Sequence, residues 1–466
     1  MATDRTISIA YEFRGIYCQR EESYEREEDY QFLLDKKKEF VEKLECKGKV
    51  YPGLNAKGAL NIYDHLLSPY EKVEINKFPA IYCLPDENNG APEDAIKKKW
   101  FWEDGDDYKL APGDHIAYRF KIEKKVGGCD SGRVAYAMDA KTKQKVAIKV
   151  MSQSAKQMYR GTQALLRLGE RDPENVKNIV RLLHFDHFRE AHYLVMDRYD
   201  TDLKAYMEEK YPKGMPLDVI SRYGNEMLIA LEYLAFHNMV HGDIKPNSFL
   251  LNRDKPFRVK LTDFTLARPQ MQEQRFIKCQ TMNYRAPEIF LFRKEKCPVD
   301  MWAFGCVLAE MLTNVVFFIG ANAHDQFYLY LEVLGLPPDE FFKKKDTATF
   351  FFSTLNKVPI HVIHRNGKDQ VDLEFSFAAR RRKLPGATPL KTFFSGDDKA
   401  DLLDFIRKTF KWIPRERITP EAAKKHSFFE GYNVAKIRAD EEGNSENDSS
   451  GGPSGKGPSE KSPVSK

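Results

Sequence analysis

Lys149 sits in Val146-Ala147-Ile148-Lys149-Val150, an apolar run with the β-branched residues of a strand. An ammonium group in such a run is costly to bury unless an anion meets it, and phosphate oxygens are suitable anions. Upstream lies a glycine-rich stretch, Gly127-Gly128-Cys129-Asp130-Ser131-Gly132-Arg133-Val134, whose last glycine, Gly132, is seventeen residues before the lysine. Glycines let backbone N–H groups come close to a phosphate, and Cys129 narrows that approach without abolishing it. Taken alone, this stretch reads better as a plain hairpin turn; the lysine on the strand after it favours phosphate. Further along come His241-Gly242-Asp243-Ile244-Lys245-Pro246 and Leu261-Thr262-Asp263-Phe264-Thr265, their aspartates twenty residues apart. Tyr284-Arg285-Ala286-Pro287-Glu288 closes the series.

Such groups act only if the fold brings them together, so the elements around them matter. Phe120 and Ile122 alternate with charged residues before the glycines, and Val134, Tyr136 and Met138 alternate after them, which predicts strands. Beyond residue 215 the period becomes helical, at Ile220, Tyr223, Met227, Leu228, Leu231 and Leu234. A strand-rich portion followed by a helix-rich one implies an α+β protein with two lobes. Ahead of it, Leu60, Ile62, Tyr63, Leu66 and Leu67 lie near helical spacing, and Ser68-Pro69-Tyr70-Glu71 reads as a capped helix start. The expected organisation is a charged extension over 1–53, an accessory region over 54–117, a catalytic-type domain over 118–430 and a disordered Ser/Gly/Pro-rich tail over 431–466.

Composition removes several classes of function. Hydrophobic residues make up 42% of the chain, enough for a sizeable core, and a net charge of +5 from 74 basic and 69 acidic residues gives no reason to expect nucleic acid. Seven scattered cysteines without a CxxC pair argue against disulfides or zinc and fit a reduced compartment. The opening MATDRTISIAYEF lacks the basic and apolar stretches of a signal peptide, and the longest apolar run is far below a membrane span. A soluble protein of the cytoplasm or nucleus is expected. The run Arg380-Arg381-Arg382-Lys383 is expected on a surface loop, with nuclear import as its functional rival.

The order and spacing of the motifs resemble those of eukaryotic protein kinases, with a small β-rich lobe and a larger helical one. More narrowly, the chain is similar to the dual-specificity tyrosine-phosphorylation-regulated (DYRK) kinases of the CMGC group. Asp114-His115-Ile116-Ala117-Tyr118-Arg119-Phe120 resembles their signature before the first strand, and Ala59 to Leu84 their N-terminal homology box. Asp300-Met301-Trp302 and the stretch ending IPRERITPEAAKKHSFF fit as well. The resemblance implies that ATP binds at Val126, Gly127, Gly128, Gly132, Val134, Ala147, Lys149, Leu250 and a hinge from Met196 to Tyr199. It makes Asp243 the group that takes the substrate hydroxyl's proton and Lys245 the cation that steadies the γ-phosphate. Asp263 and Ser248 become the Mg²⁺ ligands, Thr281 the seat of a Ser/Thr substrate, and Glu288 and Arg417 a structural ion pair.

Departures from that pattern are as informative. No acidic residue occurs between Val150 and Gly169, where a helix glutamate should tether the lysine; its place falls on Gly161 or Thr162. Ser248 replaces a metal-binding asparagine with a shorter arm, which weakens the Mg²⁺ site. Thr265 replaces a glycine, and a β-branched residue resists positive φ. Both tyrosines of the activation motif are gone from Phe276-Ile277-Lys278-Cys279-Gln280, and Met282 stands where an arginine should pair with the phosphate on the second. The sequence therefore points to a retained nucleotide pocket with strongly impaired transfer, a pseudokinase working through protein partners. The alternative is an active Ser/Thr kinase of protein substrates.

Overall fold

The computed structural model describes residues 53–430 apart from 87–88, 97, 104–106, 130–131, 153–157, 271–279, 292–296, 343–350, 353–358, 360–361, 366–367 and 372–381. All but Gly53 of the charged extension, the whole tail, the Phe276–Cys279 stretch, Arg380 and Arg381 fall outside the described residues.

The upper lobe is a six-stranded antiparallel sheet in the order β3-β4-β5-β6-β8-β7. After a short hairpin of β1 (Trp102–Glu103) and β2 (Asp107–Tyr108), its strands are β3 (His115–Ile116), β4 (Phe120–Cys129), β5 (Gly132–Asp139), β6 (Gln144–Met151), β7 (Leu182–Phe188) and β8 (Ala191–Asp197). Alternation along these strands buries Ile122, Ala135, Ala137, Ile148 and Val195 in one core. Helix α3 (Met158–Glu170) lies between β6 and β7 in the chain. The lower lobe carries the short strands β9 (Thr201–Asp202) and β10 (Met239–Val240) and the helices α4 (Leu203–Lys210), α5 (Leu217–Phe236), α7 (Pro298–Thr313), α8 (Ala323–Leu334) and α9 (Ala400–Thr409), with Trp302 fully buried. The α+β, two-lobed architecture expected from the periodicity is the one observed.

Two features pin the lower lobe. The carboxylate of Glu288, in α6 (Pro287–Phe290), accepts two 2.6 Å bonds from Arg417, both side chains buried. The same guanidinium donates to Pro298 O and lies over Trp302. This is the ion pair the resemblance implied. Of the basic run, Arg382 and Lys383 are described: both lie outside any helix or strand and Lys383 is exposed, while Arg382 makes two bonds to the buried Asp325 and one to Ile319 O.

The accessory region forms α1 (Ala56–Tyr63) and α2 (Pro69–Glu74). Ser68 and Glu71 cap α2 reciprocally, as their spacing requires. Glu74 ends that helix inside the protein. It accepts from Tyr70 at 3.0 Å, from Tyr118 at 2.8 Å, and from Arg189 at 2.9 Å. Arg189 comes from the β7–β8 turn, and its side chain is 1% exposed, packed over Phe101. One buried guanidinium thus joins the accessory region to the sheet. Removing one partner of such a pair strands the other charge, which costs about 3–5 kcal/mol. Arg189→Ala is expected to lose that much in urea unfolding, whereas Lys424→Ala, from a solvent-exposed pair with Glu232, loses about 1 kcal/mol or less. Equal losses would refute the anchoring role.

His115 lies beneath this junction with its Nδ1 accepting the Tyr118 N–H at 3.1 Å, while its Nε2 has no hydrogen-bond partner among the described residues. Burial first, and then the charges of Arg189 and Lys121, push its pKa well below the ordinary value. Between its folded pKa and about 6.5 the unfolded chain therefore binds one more proton than the folded one. Stability falls as pH drops through that window, by up to about 1.4 kcal/mol per unit for this group. In His115→Asn, which keeps an acceptor for Tyr118, the slope of unfolding free energy between pH 5 and 6.5 should lose about one proton's worth. An unchanged slope would show that other groups set it.

Candidate active site

Each candidate side chain is delivered by a different element. The β4–β5 hairpin pairs Gly127 with Val134 and Gly128 with Arg133, leaving Val126, Gly127 and Gly128 exposed at the rim. Gly132 has φ +147, and a β-carbon there would run into the Val150 carbonyl, so only glycine fits. On β6, Lys149 pairs with Val134 on one side and Leu194 on the other, while Ala147 pairs with Met196. The hinge after β8 is held by the Tyr136 hydroxyl, which donates to Tyr199 O at 2.5 Å, and Arg198 lies over the Tyr136 ring. Leu250 arrives from the lower lobe on β11 (Phe249–Asn252), half-buried.

Lys149 is buried, and its ammonium donates to Asp263 Oδ1 at 2.8 Å and to Thr265 Oγ1 at 3.1 Å. Burial alone would raise the Asp263 pKa. The Lys149 charge, with hydrogen bonds from Lys149 and Thr265, outweighs it and holds the carboxyl far below the usual range. Asp263 itself takes the left-handed conformation, φ 61 and ψ 62. Such a conformation is strained for a residue with a side chain and is found where structure around it enforces it. The strain expected at Thr265 is therefore not there; Thr265 lies in the short helical turn Phe264–Leu266.

Asp243 forms a second cluster. Its Oδ2 accepts from Lys245 at 2.6 Å, and its Oδ1 accepts from the Thr281 N–H at 3.0 Å and hydroxyl at 2.7 Å. The Ser248 hydroxyl, fully buried, donates to Asp243 O at 2.6 Å, and Ser248 O accepts the Thr262 N–H at 2.9 Å. That relay ties the Asp243 loop to the residue before Asp263. Asn247 turns the other way, its amide 3.4 Å from Asp202. Met282 is half-buried against the lower-lobe core.

Three residues that sequence reasoning left without a role prove to hold the site. Buried Asp300 accepts the N–H groups of His241 at 2.8 Å and Gly242 at 3.0 Å, fixing the loop that carries Asp243. Gly242 has φ 78, which glycine adopts freely. A carboxylate at the start of the apolar stretch Val299–Met311 was the available signal, because an acid buried there must have donors. Gln280 is the second, at φ 58, with its N–H on Gly242 O and its side chain on Val299 O and the Ala286 N–H. The third is Gly161, a mid-helix glycine that lowers helix stability by about 1 kcal/mol relative to alanine. A β-carbon on it would lie 2.8 Å from Phe264 O, so α3 meets the Asp263 segment backbone to backbone.

A family profile described as protein kinase domain matches residues 120–429. The chain belongs to the protein kinase family. Within it the relatives are of DYRK type. The serine/threonine-protein kinase ppk5 of Schizosaccharomyces pombe is 34% identical over 375 residues, 78% of this chain and 43% of its own length. The dual specificity tyrosine-phosphorylation-regulated kinase 3 of Homo sapiens is 29% identical over 395 residues, 81% of this chain and 65% of its own. Kinase 4 of the same series, also human, is 29% identical over 381 residues, 80% of this chain and 70% of its own. The chain thus spans less than half the length of ppk5.

A kinase domain of this type uses ATP with Mg²⁺ and acts on proteins. Among the described residues no three His, Cys, Asp or Glu side chains gather into a metal cage. The Asp263 carboxylate is a hard oxygen donor of the kind that fits Mg²⁺ when phosphates complete its shell, whereas the Ser248 hydroxyl is fully buried and donates to Asp243 O. Among the described residues no helix is long and apolar enough to cross a membrane.

Because the Asp300 carboxylate accepts two backbone donors, Asp300→Asn leaves one of them facing an amide N–H instead of an oxygen. The expected loss is about 2–3 kcal/mol in urea unfolding, with faster amide exchange at His241 and Gly242. Full retention of stability would remove Asp300 from this role.

Proposed function

We propose that this kinase binds ATP and Mg²⁺ between its lobes and that its transfer of phosphate to protein Ser or Thr is strongly slowed, so that it acts largely through protein partners. The observation carrying this reading is the make-up of α3. The helix has no carboxylate until Glu170, which is exposed and about 13 Å along the axis from Gly161. In active kinases a helix glutamate must pair with the lysine. Loss of one such electrostatic contact slows a reaction about a hundredfold, and the further changes at Ser248 and in the activation motif need not add to it.

Each retained residue still has a chemical task. Lys149 supplies positive charge to phosphates lying against the glycine-rich hairpin, with Val126, Gly127, Gly128 and Gly132 leaving the backbone open to them. Val134, Ala147 and Leu250 would contact the base, and the backbone from Met196 to Tyr199 would bond its edge. Asp263 and Ser248 would hold the metal, which would supply positive charge against the phosphates. Asp243 would accept the hydroxyl proton, with Lys245 beside it on the phosphate and Thr281 fixing both. An intracellular site, cytoplasmic or nuclear, accords with the free thiols of Cys83, Cys297 and Cys306.

A second reading, an ordinary Ser/Thr kinase, is favoured by the intact Asp243 cluster, with bonds of 2.6–3.0 Å to Lys245 and Thr281. The two readings separate in one pair of measurements. Thermal unfolding should shift upward with millimolar ATP, and further with Mg²⁺; no shift would end both. Labelled ATP and a basic Ser/Thr-Pro peptide should then give transfer about a hundredfold below a kinase that has the helix glutamate. Transfer at the full rate, abolished by Asp243→Asn, would decide for the ordinary enzyme.

A further inference from the structure

Thr265 occupies a position where the family pattern has glycine, and its side chain is built into the site. The hydroxyl donates to Asp263 Oδ1 at 2.8 Å and accepts from Lys149 Nζ at 3.1 Å. Lys149 donates to that same Oδ1 at 2.8 Å, closing a triangle of three polar atoms. A hydroxyl has one proton and two lone pairs. Here the proton is committed to the carboxylate, so a lone pair faces the ammonium and the rotor is fixed.

The triangle depends on α3. At Gly161 a β-carbon would approach Phe264 O to 2.8 Å and Thr265 Cα to 3.3 Å. Any side chain there would push the helix away from the turn that carries the hydroxyl. Two departures far apart in sequence, the missing helix carboxylate and the missing glycine after Phe264, therefore meet at one contact. Their chemistry is complementary: one removes a tether from the helix side, and the other adds a polar atom from the opposite side.

We infer that Thr265 is the positioning residue for Lys149, and that Gly161 is the space in which it sits. Where α3 offers no carboxylate before Glu170, the segment after Asp263 supplies a tether for the nucleotide lysine. This rests on the nucleotide-binding reading given above. Thr265 acts through Lys149 and Asp263 rather than on phosphate. A bridging hydroxyl is weaker than a second carboxylate, which accords with slow rather than absent transfer.

The test uses the full chain with ATP and Mg²⁺ as the ligand, and an acyl-phosphate derivative of ATP that acylates an amine lying beside the phosphates. Thr265→Val keeps the branching and removes both hydrogen bonds. It should weaken ATP binding roughly tenfold and slow Lys149 acylation by a similar factor. Thr265→Ser keeps the hydroxyl and should restore both. Gly161→Ala, with Thr265 intact, should weaken binding in the same direction. If the valine variant does not fold, Thr265→Ala is read in its place below its own melting temperature. Wild-type binding and acylation in the variant lacking the hydroxyl would overturn the inference. So would a serine variant as impaired as that one, since packing alone would then explain the loss. A wild-type chain that neither binds ATP nor acylates would instead overturn the nucleotide-binding reading, and the inference with it.

Discussion

The ion pair between Lys149 and Asp263 is the contact on which the cleft depends. One partner comes from the central strand of the upper lobe and the other from the segment following the lower lobe's β12 (Lys255–Leu261). Away from bulk water their attraction is strong, but so is the penalty for burying either group alone. That balance requires both to be present and aligned. Thr265 completes the pair by occupying the carboxylate oxygen that the ammonium also uses. Asp263 makes these bonds from a left-handed backbone conformation.

The rest of the site is organised by buried carboxylates that each collect several donors. Asp300 takes two backbone N–H groups, Asp243 takes Lys245 and both donors of Thr281, Glu288 takes both arms of Arg417, and Glu74 takes Arg189 and two tyrosines. Acids at these depths are tolerated only because each is multiply bonded. Each bond set also fixes one loop: Asp300 the Asp243 loop, Glu288 the end of the activation segment, Glu74 the accessory helices. Chemistry is thus placed by polar contacts set within two apolar cores.

Much of this was readable in advance. Alternation gave the strands that carry the glycines and Lys149, helical spacing gave α5, and Ser68 with Glu71 announced the start of α2. Those signals are local, since each depends on residues a few positions apart. The Glu288–Arg417 pair came from resemblance, because no periodicity joins residues so distant in the chain. Asp300 stood in a quoted pattern without a role, since its partners are backbone N–H groups that leave no mark on side-chain identity. For Thr265 the expectation concerned backbone strain, whereas the conformational cost is borne by Asp263.

From residue order alone came the protein kinase family, the two-lobed α+β plan, the identity of the charged groups, and the absence of a carboxylate along α3 before Glu170. These follow from residue type and spacing, which the chain fixes before it folds. Only the tertiary structure decided that Gly161 and the Phe264–Thr265 turn touch, that the Thr265 hydroxyl bridges Lys149 and Asp263, and that Ser248 bonds the Asp243 carbonyl. A missing side chain is legible in sequence, but what fills its place depends on distances between segments about a hundred residues apart, and packing alone sets those.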